Sequence, residues 1–320
     1  MPQIGLHFPS REIAPSRAAL RTWASIASDA GVDYINMSDH ILGVDPSKQA
    51  EGWDSKWMLP STVLAAYNHE DRWHEPLVTM GFLAALGEMA FLTSVLVLTQ
   101  RNTALVAKQA AQVDILCDGR LRLGVGVGWN AAEFASVGAD FSSRGRRFRE
   151  QIALMRRLWT EDVVSFEGEF HTVRGAGIAP RPVQQPIPVW IGGANVSNGV
   201  EPVAGLLRRI GEIGDGWCTN TGTQPDEKIR AAMQVIHMAA REKGRDPAGI
   251  GLDARLSVRM LGRDGFAEHV AAWTALGATH INIDAAALAT TGSSEYAQTV
   301  RELVQVARRR AGRSASTETA

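Results

Sequence analysis

The sequence predicts an α/β fold, a (β/α)8 TIM barrel. Eight short apolar runs rich in β-branched residues alternate strictly with longer helical patterns, the signal of repeated βαβ units around a parallel sheet. Several of the runs are apolar throughout, as strands covered on both faces must be. After the first run stands HFPSREIAPS, which is not the Gly-rich turn that opens a doubly wound sheet.

In chain order the expected strands are 3–8 (QIGLHF), 32–37 (VDYINM), 91–98 (FLTSVLVL), 121–127 (LRLGVGV), 187–191 (IPVWI), 215–219 (DGWCT), 250–258 (IGLDARLSV) and 279–283 (THINI). Between them lie amphipathic patterns. Over 144–159, Phe148, Ile152, Met155 and Trp159 share one helical face with arginines opposite. Over 294–309, Tyr296, Val300, Leu303, Val304 and Ala307 align in the same way. Residues 1–310 are therefore read as one barrel domain, and the polar 311–320 as a disordered tail. Extended loops follow the second run (38–75) and the fourth (128–143), and an insertion (160–186) precedes the fifth. That insertion holds VVSFEGEFHTV, a hairpin pattern, and the proline-rich APRPVQQPIP. Loops after barrel strands build the active face, and long loops are usually functional.

Composition narrows the function. With 33 basic and 34 acidic residues the net charge is −1, which offers nothing to nucleic acid or to an anionic membrane. No apolar run approaches the roughly 20 residues of a membrane span, and MPQIGLHF lacks the charged start of a signal peptide, so a cytoplasmic protein is expected. Cys117 and Cys218 form no CxxC pair and read as buried thiols. His69 and His74 in HEDRWHE are spaced i, i+5, not i, i+4, and no metal site is expected. GxSxG, SxxK and GxxxxGK patterns are missing, which removes serine hydrolases and P-loop enzymes.

Chemistry-bearing residues gather at run ends. Asp39 and His40, in SDH, close the second run, where a histidine serves as general acid or base. Asp39 is expected to orient that histidine or to bind a polar cofactor edge; the alternative is a simple cap. GVGVGWN (124–130) closes the fourth run with glycines that let a flat ring approach the backbone, and Asn130 offers a donor and an acceptor. Packing of small residues inside the barrel explains Gly124 well and Gly128 less well. WIGGAN (190–195) closes the fifth with bare N–H groups, or is a tight turn before a helix. Trp53, Trp57 and Trp73 crowd the long loop and are expected to cover the mouth; the alternative is that they line an apolar substrate pocket. Arg144, Arg146, Arg147 and Arg149 read as a solvated helix face.

The run TSVLVLTQRNTALVAKQAAQVDILCDGRLRLGVGVGWNAAEF (93–134) resembles the bacterial luciferase-like superfamily. SDH, DFSSRGRRFREQIALMRRLWT, VSFEGEFH, PRPVQQPIPVWIGG and RRIGEIGDGW extend the likeness from about residue 3 to about residue 285. The branch it is most similar to uses coenzyme F420, a 5-deazaflavin. The resemblance implies a barrel holding that ring at its C-terminal face, with Asp39 and His40 beside the reactive edge. It further implies that Ser94–Val95 is a non-prolyl cis peptide behind the ring. Val127, Gly128 and Asn130 would flank the ring, and Gly192, Gly193 and Ala194 would contact it or its side chain. The expected reaction is hydride transfer at C5 to or from a partly apolar small molecule, with His40 as general acid/base, in a homodimer. The alternatives are an FMN-dependent monooxygenase and a non-catalytic flavin-binding partner subunit. The sequence departs from the family after WIGG, where ANVSNGVEPVAGLLRRIG is unusually long, and at Trp129, where sugar-dehydrogenating relatives carry an acid.

Overall fold

The computed structural model describes residues 1–45, 47–48, 67–219, 224–289 and 293–316. Each expected run forms a strand. They are β1 (Gln3–His7), β2 (Tyr34–Met37), β3 (Ala90–Thr93) with its continuation β4 (Leu96–Val97), and β5 (Leu121–Gly126). A separate antiparallel hairpin, β6 (Val164–Glu167) and β7 (Thr172–Ala176), occupies the insertion as its sequence suggests. Then come β8 (Val189–Gly192), β9 (Gly216–Cys218), β10 (Gly251–Ser257) and β11 (His280–Asp284). The order β3-β2-β1-β11-β10-β9-β8-β5 is parallel throughout, and β3 pairs with β5 to close an eight-stranded barrel.

The third run is the one that divides. Ser94 N–H still bonds Met37 O, the Ser94–Val95 peptide is cis, and the ladder resumes against β5 through Leu96 and Val97. Leu98–Gln100 is a 3-10 turn, not strand.

Helices surround the barrel, several opened by side-chain caps. They are α1 (Arg17–Asp29, capped by Ser16), α2 (Pro76–Ala84, capped by Glu75), α3 (Thr103–Leu116, capped by Asn102) and α4 (Ala131–Ser136, capped by Asn130). α5 (Arg144–Thr160), α6 (Ala204–Ile213), α7 (Glu227–Glu242), α8 (Val258–Leu276) and α9 (Ser293–Ser316) complete the ring. The apolar stripe of α5 is buried as expected, with Trp159 donating to Ala107 O at 3.0 Å. α9 carries on to Ser316 with Ala311 buried in the core, so the domain runs past the boundary expected at residue 310. An Ala at the right helical register continues the stripe of Val300, Val304 and Ala307 whatever the polarity of its neighbours.

Two apolar layers result. Outward-facing Ile4, Leu6, Ile35, Met37, Phe91, Leu123 and Val125 join the main core beneath the helices. Inside the barrel, Tyr34, Leu92, Trp190 and Cys218 form a second cluster. Its bulk is admitted by glycines on neighbouring strands. A Cβ at Gly216 would stand 2.2 Å from the Trp190 indole, one at Gly251 2.3 Å from it, and one at Gly5 2.2 Å from the Tyr34 ring. The rest of the lumen is polar. Tyr34 donates to Asp253 Oδ1 at 2.5 Å, His7 Nδ1 lies 2.9 Å from Asn36 Oδ1, and Arg255 pairs with Asp284 at 2.8 Å.

Burial pushes the His7 imidazole down to about 4 and the His280 imidazole to about 3, while burial pushes the Asp253 carboxyl up to about 6. Below about pH 6.5 the unfolded chain protonates both histidines and the folded chain does not, so they remove stability as pH falls; Asp253 works in the opposite sense below pH 6. Between pH 6 and 5 these three leave a net loss of about one proton, ~1.4 kcal/mol per pH unit. His280→Gln should flatten the slope by about that amount in urea unfolding measured at the two pH values. Gly216→Val should cost about 1–3 kcal/mol by overpacking, and Trp190→Leu in the same chain should recover part of it.

Candidate active site

The C-terminal end of β2 runs straight into Ser38, Asp39 and His40. Ser38 Oγ donates to Ser94 O at 3.1 Å, tying this segment to the divided third run. Asp39 is buried, and its carboxylate accepts from Val97 N at 2.9 Å and from Arg101 at 2.9 Å; Arg101 also reaches Glu75 at 2.9 Å. Burial pushes the Asp39 carboxyl up, against the pull of Arg101 and the Val97 N–H. Asp39 thus braces the loop after β4, and the expectation that it orients His40 is corrected. A carboxylate fully engaged by a guanidinium and a backbone donor has little left for a neighbour in sequence that turns the other way.

The group that meets His40 is Glu133, in the first turn of α4. His40 Nδ1 lies 3.0 Å from Glu133 Oε1. Glu133 is 1% exposed and collects two more donors, Tyr67 O–H at 2.8 Å on Oε1 and Gln100 Nε2 at 2.7 Å on Oε2. Burial alone would raise this carboxyl, but the hydrogen bond and charge of His40, with Gln100 and Tyr67, hold it below the usual carboxylate range. Burial and the facing Glu133 push the Tyr67 phenol far up, so it stays a neutral donor.

Aromatic rings wall in the imidazole. Ring centres of Tyr67, Trp73 and Trp129 stand 4.1, 4.6 and 5.6 Å from that of His40. A cavity of about 350 Å³ opens beside it, lined by His40, Ile41, Trp73, Gln100, Leu105 and Val137 among others. Trp73 lines the cavity wall, whereas Trp53 and Trp57 lie outside the described residues.

The glycine-rich run ends have mixed fates. A Cβ at Gly126 would stand 2.6 Å from Val95 Cγ2 and one at Gly192 2.2 Å from Val95 Cγ1, so the Ser94–Val95 step sits against both strand ends. Gly128 (φ +73°) is needed for conformation and also for room, since a Cβ there would crowd Val97 at 2.6 Å and Phe134 at 2.9 Å. Thr99 Oγ1 donates to Val127 O at 2.7 Å. Gly193 (φ +106°) and Ala194 (φ +59°) make the turn after β8, with Trp217 Nε1 donating to Gly193 O at 3.1 Å. The Asn130 Oδ1 caps α4 through Ala132 N at 3.0 Å, and its Nδ2 donates to Tyr67 O at 2.6 Å.

Tyr67, Gln100 and Glu133 escape sequence reasoning. Glu133 carries a signal, because Asn130 followed three residues later by Glu is the spacing of a capping box. Gln100 lies within the run 93–134 but carries no spacing signal of its own, and Tyr67 sits in no motif; both reach the site only through the folding of two loops. Elsewhere Arg146 and Arg149 pair with Glu169 and Glu212, and Arg144 lies over the Phe141 ring. Among the described residues no group of three His, Cys, Asp or Glu could hold a metal, and no helix is long and apolar enough to cross a membrane.

Comparison with known proteins agrees with this architecture. A monooxygenase from Streptomyces bottropensis shares the fold at 16% identity and TM-score 0.70, covering 95% of this chain and 98% of that one. A protein of Segniliparus rotundus named F420-dependent glucose-6-phosphate dehydrogenase is 35% identical over 53% of this chain and 51% of its own length. Its namesake from Kineococcus radiotolerans is 29% identical over 76% of this chain and 64% of its own length. The likeness thus spans between half and two thirds of these curated relatives. The profile of the luciferase-like monooxygenases matches residues 11–317, nearly the whole chain. The chain belongs to the luciferase-like monooxygenase family.

Proposed function

We propose that the protein is an oxidoreductase that transfers a hydride between coenzyme F420 and a small organic substrate at the C-terminal mouth of the barrel, with His40 as general acid/base. The observation that carries this is the setting of His40. It stands at the end of β2, one ring nitrogen engaged by a buried carboxylate and the ring walled by three aromatics, beside an open cavity. Support for the cofactor comes from the relatives named F420-dependent.

Val95 is half-buried and packs against the backbones of Gly126 and Gly192, an apolar surface on which a flat ring would lie. Ser94, Val95, Val127, Gly128, Gly192, Gly193 and Ala194 would hold the ring there. When bound, a 5-deazaflavin supplies two-electron hydride chemistry. His40 holds or releases the proton that accompanies the hydride at the substrate, and Trp73 and Trp129 limit water around it. Ile41, Leu105 and Val106 on the cavity wall favour a partly apolar substrate. The resemblance adds a homodimer to this reading. Family membership favours a second reading, an FMN-dependent monooxygenase in which His40 supports oxygen chemistry.

Fluorescence titration of cofactor-free protein separates the two: tight F420 and weak FMN binding are expected, and the reverse preference would transfer the protein to the monooxygenase reading. His40→Ala should cut turnover by ~10²–10⁴ with F420 affinity nearly intact. Unchanged turnover would remove His40 from the reaction.

A further inference from the structure

We infer that Nε2 is the atom of His40 that exchanges the proton, and that Glu133 is the positioning residue that dictates this, through a one-way chain of hydrogen bonds anchored on the backbone of α4. The inference rests on the proposed role of His40 and deepens it from a residue to an atom.

The chain begins at a group with no choice. The backbone N–H of Ala132 only donates, so the atom of Asn130 3.0 Å from it is the carbonyl oxygen. That fixes the amide, and the Asn130 NH2 must then face Tyr67, to whose oxygen it donates at 2.6 Å. With that lone pair engaged, the Tyr67 hydroxyl hydrogen is directed to its other neighbour, Glu133 Oε1 at 2.8 Å. Gln100 Nε2 donates to Oε2 at 2.7 Å. Glu133 is therefore surrounded by donors, and a carboxylate in that position accepts from every side. The remaining neighbour of Oε1 is His40 Nδ1 at 3.0 Å, which must carry a hydrogen. A neutral imidazole bears one N–H, so Nε2 keeps the lone pair.

The geometry leaves that lone pair for chemistry. Nδ1 is held, Tyr67, Trp73 and Trp129 pack around the ring, and His40 lines the cavity beside them. A bound deazaflavin would supply the acceptor for the hydride, taken with both electrons of the substrate C–H bond. At the substrate, the proton of the adjoining O–H or N–H would pass to Nε2 as a C=O or C=N bond forms. The reverse reaction returns the same proton from Nε2–H. In the protonated state, the imidazolium faces the Glu133 carboxylate across the Nδ1 hydrogen bond. Asp39 takes no part in this, being held by Arg101 and Val97.

The test is ¹⁵N–¹H long-range correlation NMR of the cofactor-free protein, with the His40 signals identified among the eight histidines by their loss in His40→Ala. The neutral ring should show Nδ1 protonated and Nε2 bare. A Nε2–H ring in the unsubstituted protein overturns the inference with no variant needed. Glu133→Met, which removes both acceptors at similar volume, should shift the ring toward Nε2–H. It should also lower kcat by ~10² with KM and F420 affinity changed by less than about twofold. Glu133→Gln, which can still turn an oxygen to Nδ1, should keep the Nδ1–H ring and most of the turnover. Loss of F420 affinity and kcat together in Glu133→Met, with the tautomer unchanged, would show a structural role and overturn the positioning one. Failure of the functional reading looks different: turnover in His40→Ala would equal that of the parent while the tautomer still followed Glu133.

Discussion

The pairing of β3 with β5 closes the sheet, and closure decides where everything else can stand. Once eight parallel strands form a ring, each inward side chain faces others across a narrow lumen. Tyr34 and Trp190 fill that lumen only because Gly5, Gly216 and Gly251 have no Cβ to meet them. Volume is balanced strand against strand, and the helices outside pack on a second, separate apolar surface. The lumen is polar, with Tyr34 on Asp253 and His7 on Asn36, while both polar side-chain atoms of Asn282 are buried with no hydrogen-bond partner among the described residues.

Closure also concentrates chemistry at one end. The third run divides at Ser94–Val95, where the chain leaves β3 and rejoins the sheet against β5. That step brings Val95 beside Gly126 and Gly192 and places the Val97 N–H where Asp39 can accept from it. Asp39 and Arg101 then fix the loop after β4, and Gln100 one residue earlier reaches Glu133. Three loops from different strands are cross-linked by buried polar bonds around one imidazole. This network places His40, whose Nε2 has no partner among the described residues, beside a cavity.

Much of this was legible in the chain. The eight strands follow from apolar, β-branched runs long enough to cross a barrel, and the hairpin of 160–186 from its own alternation. His40, Gly128, Gly192 and Gly193 stand at strand ends, where the fold class itself points to the mouth. The partners of Asp39 and Asn130 are not legible in the chain, because a carboxylate and a carboxamide go to whichever donor or acceptor the fold brings closest. For Asp39 that is Arg101, 62 residues on; for Asn130 it is Tyr67, 63 residues back.

The sequence by itself determined the fold class, the strand order in the chain and the position of the candidate catalytic histidine. These depend on local periodicity and on the rule that barrel strands present their C-terminal ends to one face. Only the tertiary structure decided which carboxylate meets that histidine. His40 and Glu133 are 93 residues apart, Tyr67 comes from further along the same 38–75 segment as His40, and Gln100 joins from the turn after β4. A hydrogen bond is selected by distance and direction over a few ångströms, and no spacing along the chain encodes that until the barrel has closed.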